Sequence, residues 1–150
     1  MAYITTNDLS QRLGTTLYAR LTDRVNGATA SATVAQQIVD EAEAAANSYL
    51  ARRYRTPVDL TARPEVAKVL AARVLDLAEA AAWRGSPFVS DPPQRVELLY
   101  ADALRWFQDV AAGQVPLPAS APLAGPTADN DGPRYTATPR TFTADELDGL

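Results

Sequence analysis

The chain has 150 residues and a net charge of −4, which is enough length for one domain and gives no reason to expect a general affinity for nucleic acid. It contains neither cysteine nor histidine, so a disulfide framework is excluded and the usual general base, metal ligand and pH switch are missing. No apolar run reaches membrane-spanning length, and the opening lacks the basic start and apolar core of a signal peptide, so we expect a cytosolic origin.

The first elements are expected to be two short helical pieces. Residues 3–4 can dock as a short extended arm, and Thr5 or Thr6 can cap a helix that follows. Gly14 is expected to end that helix because glycine tolerates the left-handed cap conformation. A second helical piece is expected over 16–21.

The stretch 22–29, TDRVNGAT, is expected to form a turn. Its Asn26-Gly27 pair is a strong turn signal. The spacing faintly resembles a calcium-binding loop, but Val25 and Ala28 offer no oxygen-bearing side chains, so the acidic ligand set is missing. The pattern therefore favours a turn over a metal site.

Three longer stretches place apolar residues at steps of three and four, which predicts helices over 32–54, 64–84 and 91–112. We expect Leu70 and Leu104 to be buried. The stripes consist of Val34, Ile38, Ala42, Ala45 and Tyr49 in the first helix, Val66, Val69, Leu70, Val74, Leu77 and Ala81 in the second, and Val96, Leu99, Tyr100, Ala103, Leu104, Phe107 and Val110 in the third.

Several residues mark the ends of these helices. Ser31 or Thr33 can cap the first helix, since a short hydroxyl accepts a bond from a free backbone N–H. Thr56 precedes a proline and is therefore pushed out of helical geometry, which ends the first helix near that point. Pro64 suits the first turn of the second helix, and Asp91 before a proline is a start signal for the third.

The fold expected from these patterns is all-α: a small bundle of three long helices plus short N-terminal helices, with an extended Pro-rich C-terminal tail. The boundary between the helical domain, 1–113, and the tail, 114–150, follows a change in composition. Six prolines crowd a stretch rich in Ala, Thr, Gly and Asp. Such a segment cannot offset its ordering entropy by burial, so we expect it to be extended or disordered.

The last residues of the chain, RTFTADELDGL, regain apolar side chains at Phe142, Leu147 and Leu150. Thr143 heads a capping-box pattern with Glu146 three residues later. A short apolar motif at the end of a tether is typical of a segment that binds another surface. The alternative is a frayed or self-docked end.

Nothing in the sequence indicates catalysis, and we expect the protein not to be an enzyme. No histidine is present to activate a serine, and no phosphate-binding glycine loop occurs. Paired carboxylates can act as acid and base or hold magnesium, but here they are interleaved with the apolar stripes, so we expect them on solvated helix faces. They are Asp40, Glu41 and Glu43, then Asp76 and Glu79, then Asp102 and Asp109.

One local cluster is basic and consists of Arg52, Arg53, Arg55 and Arg63. These arginines can contact DNA phosphates or the carboxylates of a protein partner. They can equally complement the negative end of the helix that precedes them. The sequence leaves these alternatives open.

Several stretches, in this order, carry a resemblance. MAYITTNDLSQRLG is followed by LTDR and a glycine-containing turn. IVDEAEAAANSYLARRYRTPV is an alanine-rich helix that ends in Ser-Tyr-Leu, a basic Arg-Tyr pair and a proline. YADALRWFQDVAAGQVPL contains Ala-Ala-Gly after its aromatic residues. RTFTADELDGL, at the end of the chain, contains a phenylalanine. Together they resemble the small helical head–tail connector proteins of Mu-like tailed bacteriophages, also called adaptor or head-completion proteins.

The resemblance implies a structural virion protein that needs no cofactor or metal. Such proteins form a ring, typically twelvefold (a dodecamer), beneath the portal in the neck of the particle, after synthesis in the bacterial cytoplasm. The implied partners are further copies of the chain, the portal protein and a tail-side stopper or tail terminator protein. DNA passes through the lumen without specific binding, and no membrane is involved.

The residues expected to bind partners are Arg52, Arg53, Arg55, Arg140, Phe142, Leu147 and Leu150. We expect the first three to lie away from the lumen, because arginine contacts to phosphates would slow the passage of DNA. Two other functions are considered: an acidic helical protein-interaction or regulatory module without catalytic activity, and a metal-dependent nuclease.

Overall fold

The computed structural model describes residues 2–61, 63–89 and 91–117, and these ranges form a helical bundle as the sequence predicts. None of the helices in these ranges is both long and apolar enough to cross a membrane. In chain order the helices are α1, Thr6–Leu13; α2, Thr15–Thr22; α3, Ala32–Leu50; α4, Pro64–Gly85; and α5, Gln94–Ala112.

The three long helices each pack against the other two, and α1 and α2 pack across α3 and α4. The chain leaves α5 beside the end of α3, because the backbone N–H of Leu117 donates to the hydroxyl of Tyr54 over 2.8 Å. We call this the exit end of the bundle. At the opposite end, the loop end, Phe88 of the α4–α5 connection lies against Gly27 of the α2–α3 loop.

The core contains most of the predicted stripes, and Leu70 is 1 % exposed as expected. Leu104 is only half-buried, and Val69 is 47 % exposed, so the outer edges of the stripes remain in contact with solvent. The largest fully buried apolar side chains are Phe107, Leu9, Leu21, Leu50, Leu70, Val39, Val58, Val74, Val96 and Val110.

The helix starts follow the predicted capping chemistry. Thr5 caps α1 in a reciprocal capping box with Asp8, and Ser31 rather than Thr33 caps α3. Pro64 lies in the first turn of α4. α5 begins at Gln94, three residues later than expected. Pro93 takes extended geometry, and the residue before it is disfavoured in a helix because it precedes a proline.

The predicted end of α3 at 54 is wrong by about one turn. The helix stops at Leu50, and the next residues wind more tightly: Arg52 N–H donates to the Tyr49 carbonyl and Arg53 N–H to the Leu50 carbonyl. Bonds of this three-residue type commonly close the last turn of a helix. The tightening turns Tyr54 into the core, where it is 3 % exposed.

The N-terminal arm docks as expected. The Tyr3 hydroxyl donates to Asn47 Oδ1 over 2.7 Å and accepts the Val58 N–H over 2.8 Å. The Glu43 carboxylate accepts the backbone N–H groups of Tyr3 and Ile4. Glu43 is therefore half-buried, which corrects the expectation that it belongs to a solvated face.

The α2–α3 loop is organised by Asp23, which is 8 % exposed. One carboxylate oxygen accepts the N–H groups of Val25 and Asn26, and the other accepts those of Ala28 and Thr29, over 2.9–3.1 Å. These four bonds favour the ionised form and hold the pKa of Asp23 far below its ordinary value. The carboxylate thus serves the backbone of its own loop.

Candidate partner-binding surface

The basic turn, which we define as Arg52–Arg55, covers the exit end of the bundle. Its three arginines are exposed while Tyr54 between them is buried. The Tyr54 ring is fixed at both ends, by the tight turn that follows α3 and by the bond from Leu117. Because this aromatic side chain is anchored in the core, the backbone that carries the neighbouring arginines is held in a fixed position.

Arg53 lies against the C-terminus of α5, and not only beside the helix that precedes it. Gly113 caps α5 with φ of 83° and ψ of 13°, and a Cβ atom at that position would collide with the Arg53 guanidinium. A cation near the last carbonyls of a helix is favourable, since they carry partial negative charge. Arg53 therefore complements the dipole of α5, whereas the sequence pattern predicts this role at α3, the helix that precedes it.

The same explanation does not extend to the other arginines of this end. Arg63 occupies the N-cap position of α4, where the helix dipole disfavours a positive charge. Arg52 and Arg55 form no ion pair with any residue in the described ranges. Asp59, the nearby carboxylate of the α3–α4 connection, does not pair with these arginines. It accepts bonds from the Thr61 N–H and hydroxyl, and these bonds lower its pKa.

The acidic surplus of the chain is concentrated in its sequence after the bundle. Residues 1–117 carry 12 basic and 13 acidic side chains, and residues 118–150 carry 2 and 5. The bundle is therefore nearly neutral overall, and its exit end is locally basic. Electrostatic complementarity between such a surface and carboxylates chiefly promotes encounter and orientation.

A buried charged cluster, which the sequence pattern does not predict, joins α1, α4 and α5. Asp76 is 5 % and Glu79 2 % exposed. Arg12 donates to Asp76 over 2.7 Å and to Glu79 over 2.9 Å. Arg95 donates to Glu79 over 3.0 Å, and Arg73 lies 3.6 Å from Asp76. The expectation that Asp76 and Glu79 face solvent is wrong, because three arginines enclose them.

The arrangement of this cluster fits a structural role. Burial raises the pKa of Asp76, and the charge and hydrogen bond of Arg12 act in the opposite direction. Both carboxylates are bonded to guanidinium groups, and no group of three His, Cys, Asp or Glu side chains in the described part of the chain is placed to hold a metal ion.

The other acidic residues that were expected on solvated helix faces differ in their exposure. Asp40, Glu41 and Asp102 are exposed as expected, and Asp109 is half-buried near the end of α5. The other expected partner-binding residues, Arg140, Phe142, Leu147 and Leu150, lie outside the described residues. Of the expected set, the structure therefore places the basic turn alone, beside the point where the chain leaves the bundle.

Comparison with known proteins gives one family. The sequence model of the family described as "Bacteriophage Mu, Gp36" matches residues 3–133 of the chain. The match covers the whole bundle and extends beyond it. A search of curated proteins returned no match.

Proposed function

The chain belongs to the Bacteriophage Mu, Gp36 family, and on that premise we propose that this phage structural protein forms the head–tail connector, or adaptor, ring of the particle. In this proposal about twelve copies pack side by side beneath the portal. The neck of the virion is then its location, and a tail-side stopper or tail terminator protein meets the face opposite the portal.

The observation that carries the proposal is the basic turn at the exit end. Arg52 and Arg55 are exposed, lie on a rigid base and have no ion-pair partner among the described residues. Arg63 adds a further cation at a helix N-terminus, where the bundle gains nothing from it. These groups suit the carboxylates of a neighbouring copy or of the portal, since guanidinium forms paired bonds to carboxylate.

The nearly neutral bundle agrees with a lumen through which DNA slides. Basic side chains along the lumen would displace counterions and bind the duplex tightly. We therefore propose that the basic turn faces adjacent protein and not the DNA. The proposed role requires no catalytic residue, cofactor or membrane.

The direct test is assembly on portal-bearing heads. Wild-type protein should add to the portal as a ring, visible by electron microscopy and by native mass spectrometry of the portal–connector complex. Arg52→Glu and Arg55→Glu should each weaken assembly, and the loss should be largest at low salt and smaller at high salt, because salt screens interactions between exposed charges. Arg20→Glu, an exposed arginine of α2, is the matched control and should assemble normally.

Two results would overturn two parts of this proposal. A neck structure with Arg52, Arg53 and Arg55 surrounding the DNA would overturn the placement of the basic turn against adjacent protein. A particle whose neck lacks the protein altogether would overturn the connector role and would favour the alternative of a regulatory or protein-interaction module made during infection. Mass spectrometry of purified particles separates the connector from that alternative.

A further inference from the structure

A groove lies where α3, α4 and α5 meet, with a volume of about 360 Å³. Its floor is apolar and includes three alanines, whose small side chains leave space between the helices. Ala45 of α3 is exposed and Ala81 of α4 half-buried within it. The apolar lining consists of Ile38, Ala42, Ala45, Leu77, Ala81, Tyr100 and Leu104.

One rim of the groove is cationic. The Arg84 guanidinium stacks 4.0 Å above the centre of the Tyr100 ring and is also bonded to Glu97. Arg24 extends from the α2–α3 loop over Gly85, where an added Cβ would lie 3.1 Å from its guanidinium nitrogen. The loop that carries Arg24 is fixed by the four hydrogen bonds to Asp23. The rim is thus held in place before any ligand binds.

Two other depressions lack this combination. One, of about 230 Å³ beside Tyr3 and Leu60, has no charged residue in its lining. The other, of about 280 Å³ beside Val69 and Trp106, has Glu65 and no basic residue in its lining. An apolar segment that also carries carboxylates is therefore matched best by the groove between the long helices.

The chain itself contains such a segment in RTFTADELDGL, residues 140–150. Phe142, Leu147 and Leu150 supply apolar side chains, and three acidic residues, Asp145, Glu146 and Asp148, stand between them. Arg140 at its other end can meet Glu41, the acidic residue of the groove. Amphipathic segments commonly bind apolar grooves through a few apolar anchor side chains.

The length of chain between the bundle and this segment is sufficient. Leu117 lies at the exit end, and the rim of the groove lies at the loop end, so the separation is about the length of α4, roughly 33 Å for 22 residues. The tether 118–139, if extended at about 3.1 Å per residue, spans roughly 70 Å. Both the groove of the same copy and that of an adjacent copy are within reach.

We propose that the groove between α3, α4 and α5 is the binding site for residues 140–150 of this protein. This assignment rests on the proposed connector function and extends it. It gives the terminal segment a binding site on a connector copy. Apolar side chains of the segment occupy the alanine-lined floor, and its carboxylates meet Arg24 and Arg84.

The absence of native cysteine permits a direct test in the full-length chain. Ala45→Cys in the groove is combined with Gly149→Cys in the segment, and a short bismaleimide is added. The matched control combines Gly149→Cys with Ala72→Cys, an exposed alanine on the opposite face of α4. The groove pair should cross-link at least tenfold faster than the control pair. A product of monomer size identifies docking within one copy, and a product of dimer size identifies docking between copies.

Two further variants test the chemistry of recognition. Phe142→Ser with Leu147→Ser in the groove pair should lower the cross-linking rate to that of the control. Arg24→Gln should lower it severalfold, and Arg20→Gln, which removes a guanidinium outside the groove, should not. Equal rates for the two cysteine pairs, with circular dichroism showing folded protein, would overturn the inference. Ring assembly on portal is scored separately, so that failure of docking and failure of the connector function give different results.

Discussion

At the scale of single residues, Asp23 fixes the loop that connects the N-terminal helices to the long bundle. Its carboxylate accepts four backbone N–H groups, which otherwise have no partner in a turn of this length. Buried or half-buried backbone donors are costly when unpaired. The short side chain thereby replaces regular secondary structure over seven residues and presents Arg24 beside the groove.

We predict that Asp23→Asn reduces stability at neutral pH and removes part of the acid sensitivity of the protein. The folded-state pKa of Asp23 is lowered from 3.8, so its contribution is fully present above that value and is lost as the pH falls through the folded-state pKa. Urea unfolding between pH 7 and pH 2 should show a shallower acid decline in the variant. Asp102→Asn, at an exposed position, is the control; an acid decline equal to that of wild type in both variants contradicts the prediction.

Arg12 has a comparable importance in the buried cluster, because it contacts both carboxylates. We predict that Arg12→Ala lowers the free energy of unfolding by about 3–5 kcal/mol, the usual penalty for removing one partner of a buried ion pair. Arg73→Ala, which removes a longer and more exposed contact to Asp76, should lower it by less than about 1 kcal/mol. Urea denaturation at pH 7 measures both, and equal losses would mean that Arg12 does not hold the cluster.

This cluster also marks the limit of what the sequence predicts at the residue scale. Asp76 and Glu79 stand three apart on α4, a spacing that also occurs on solvated helix faces. Their burial follows from Arg12 and Arg95, which come from distant parts of the chain and whose approach no local pattern indicates. The short polar caps, by contrast, were predictable because Thr5 and Ser31 act on backbone within three residues.

At the scale of elements, apolar periodicity located all three long helices because burial on one face is what keeps them helical in the bundle. The ends were less predictable. α3 ends at Leu50 because Tyr54 is drawn into the core and bonded by Leu117, a contact 63 residues apart in sequence. The exposed basic turn is thus a consequence of tertiary packing, although the sequence alone identifies its arginines as candidate partner-binding residues.

Leu70 and Leu104 test how far the stripes correspond to burial. Leu70 is 1 % exposed, whereas Leu104 is half-buried at the groove. We predict that Leu70→Ala lowers the free energy of unfolding by about 2–5 kcal/mol, through lost burial and the cavity that remains. The same change at Leu104 should cost clearly less, since solvent already reaches it. Thermal and urea unfolding provide the comparison, and a larger loss at Leu104 would contradict the assignment.

At the scale of the whole molecule, the two ends of the bundle differ in chemistry. The exit end presents the basic turn where the chain leaves the core, and the loop end carries the cationic rim of an apolar groove. The acidic residues 118–150 can therefore be attracted to either end of a copy. A single copy gains little from such contacts, but copies arranged in a ring repeat them, and each engaged segment raises the effective concentration of the next.

We predict that deletion of residues 140–150 impairs attachment of the protein to portal-bearing heads while the bundle stays folded. Each buried apolar side chain of the segment contributes roughly 1.5–3 kcal/mol before ordering costs, so the loss is modest for one copy and large for a ring. Sedimentation of heads with bound protein measures attachment. A scrambled 140–150 segment of the same composition is the control and should also fail. Undiminished attachment by the deleted protein, with unchanged circular dichroism, would show that the terminal segment does not anchor the assembly.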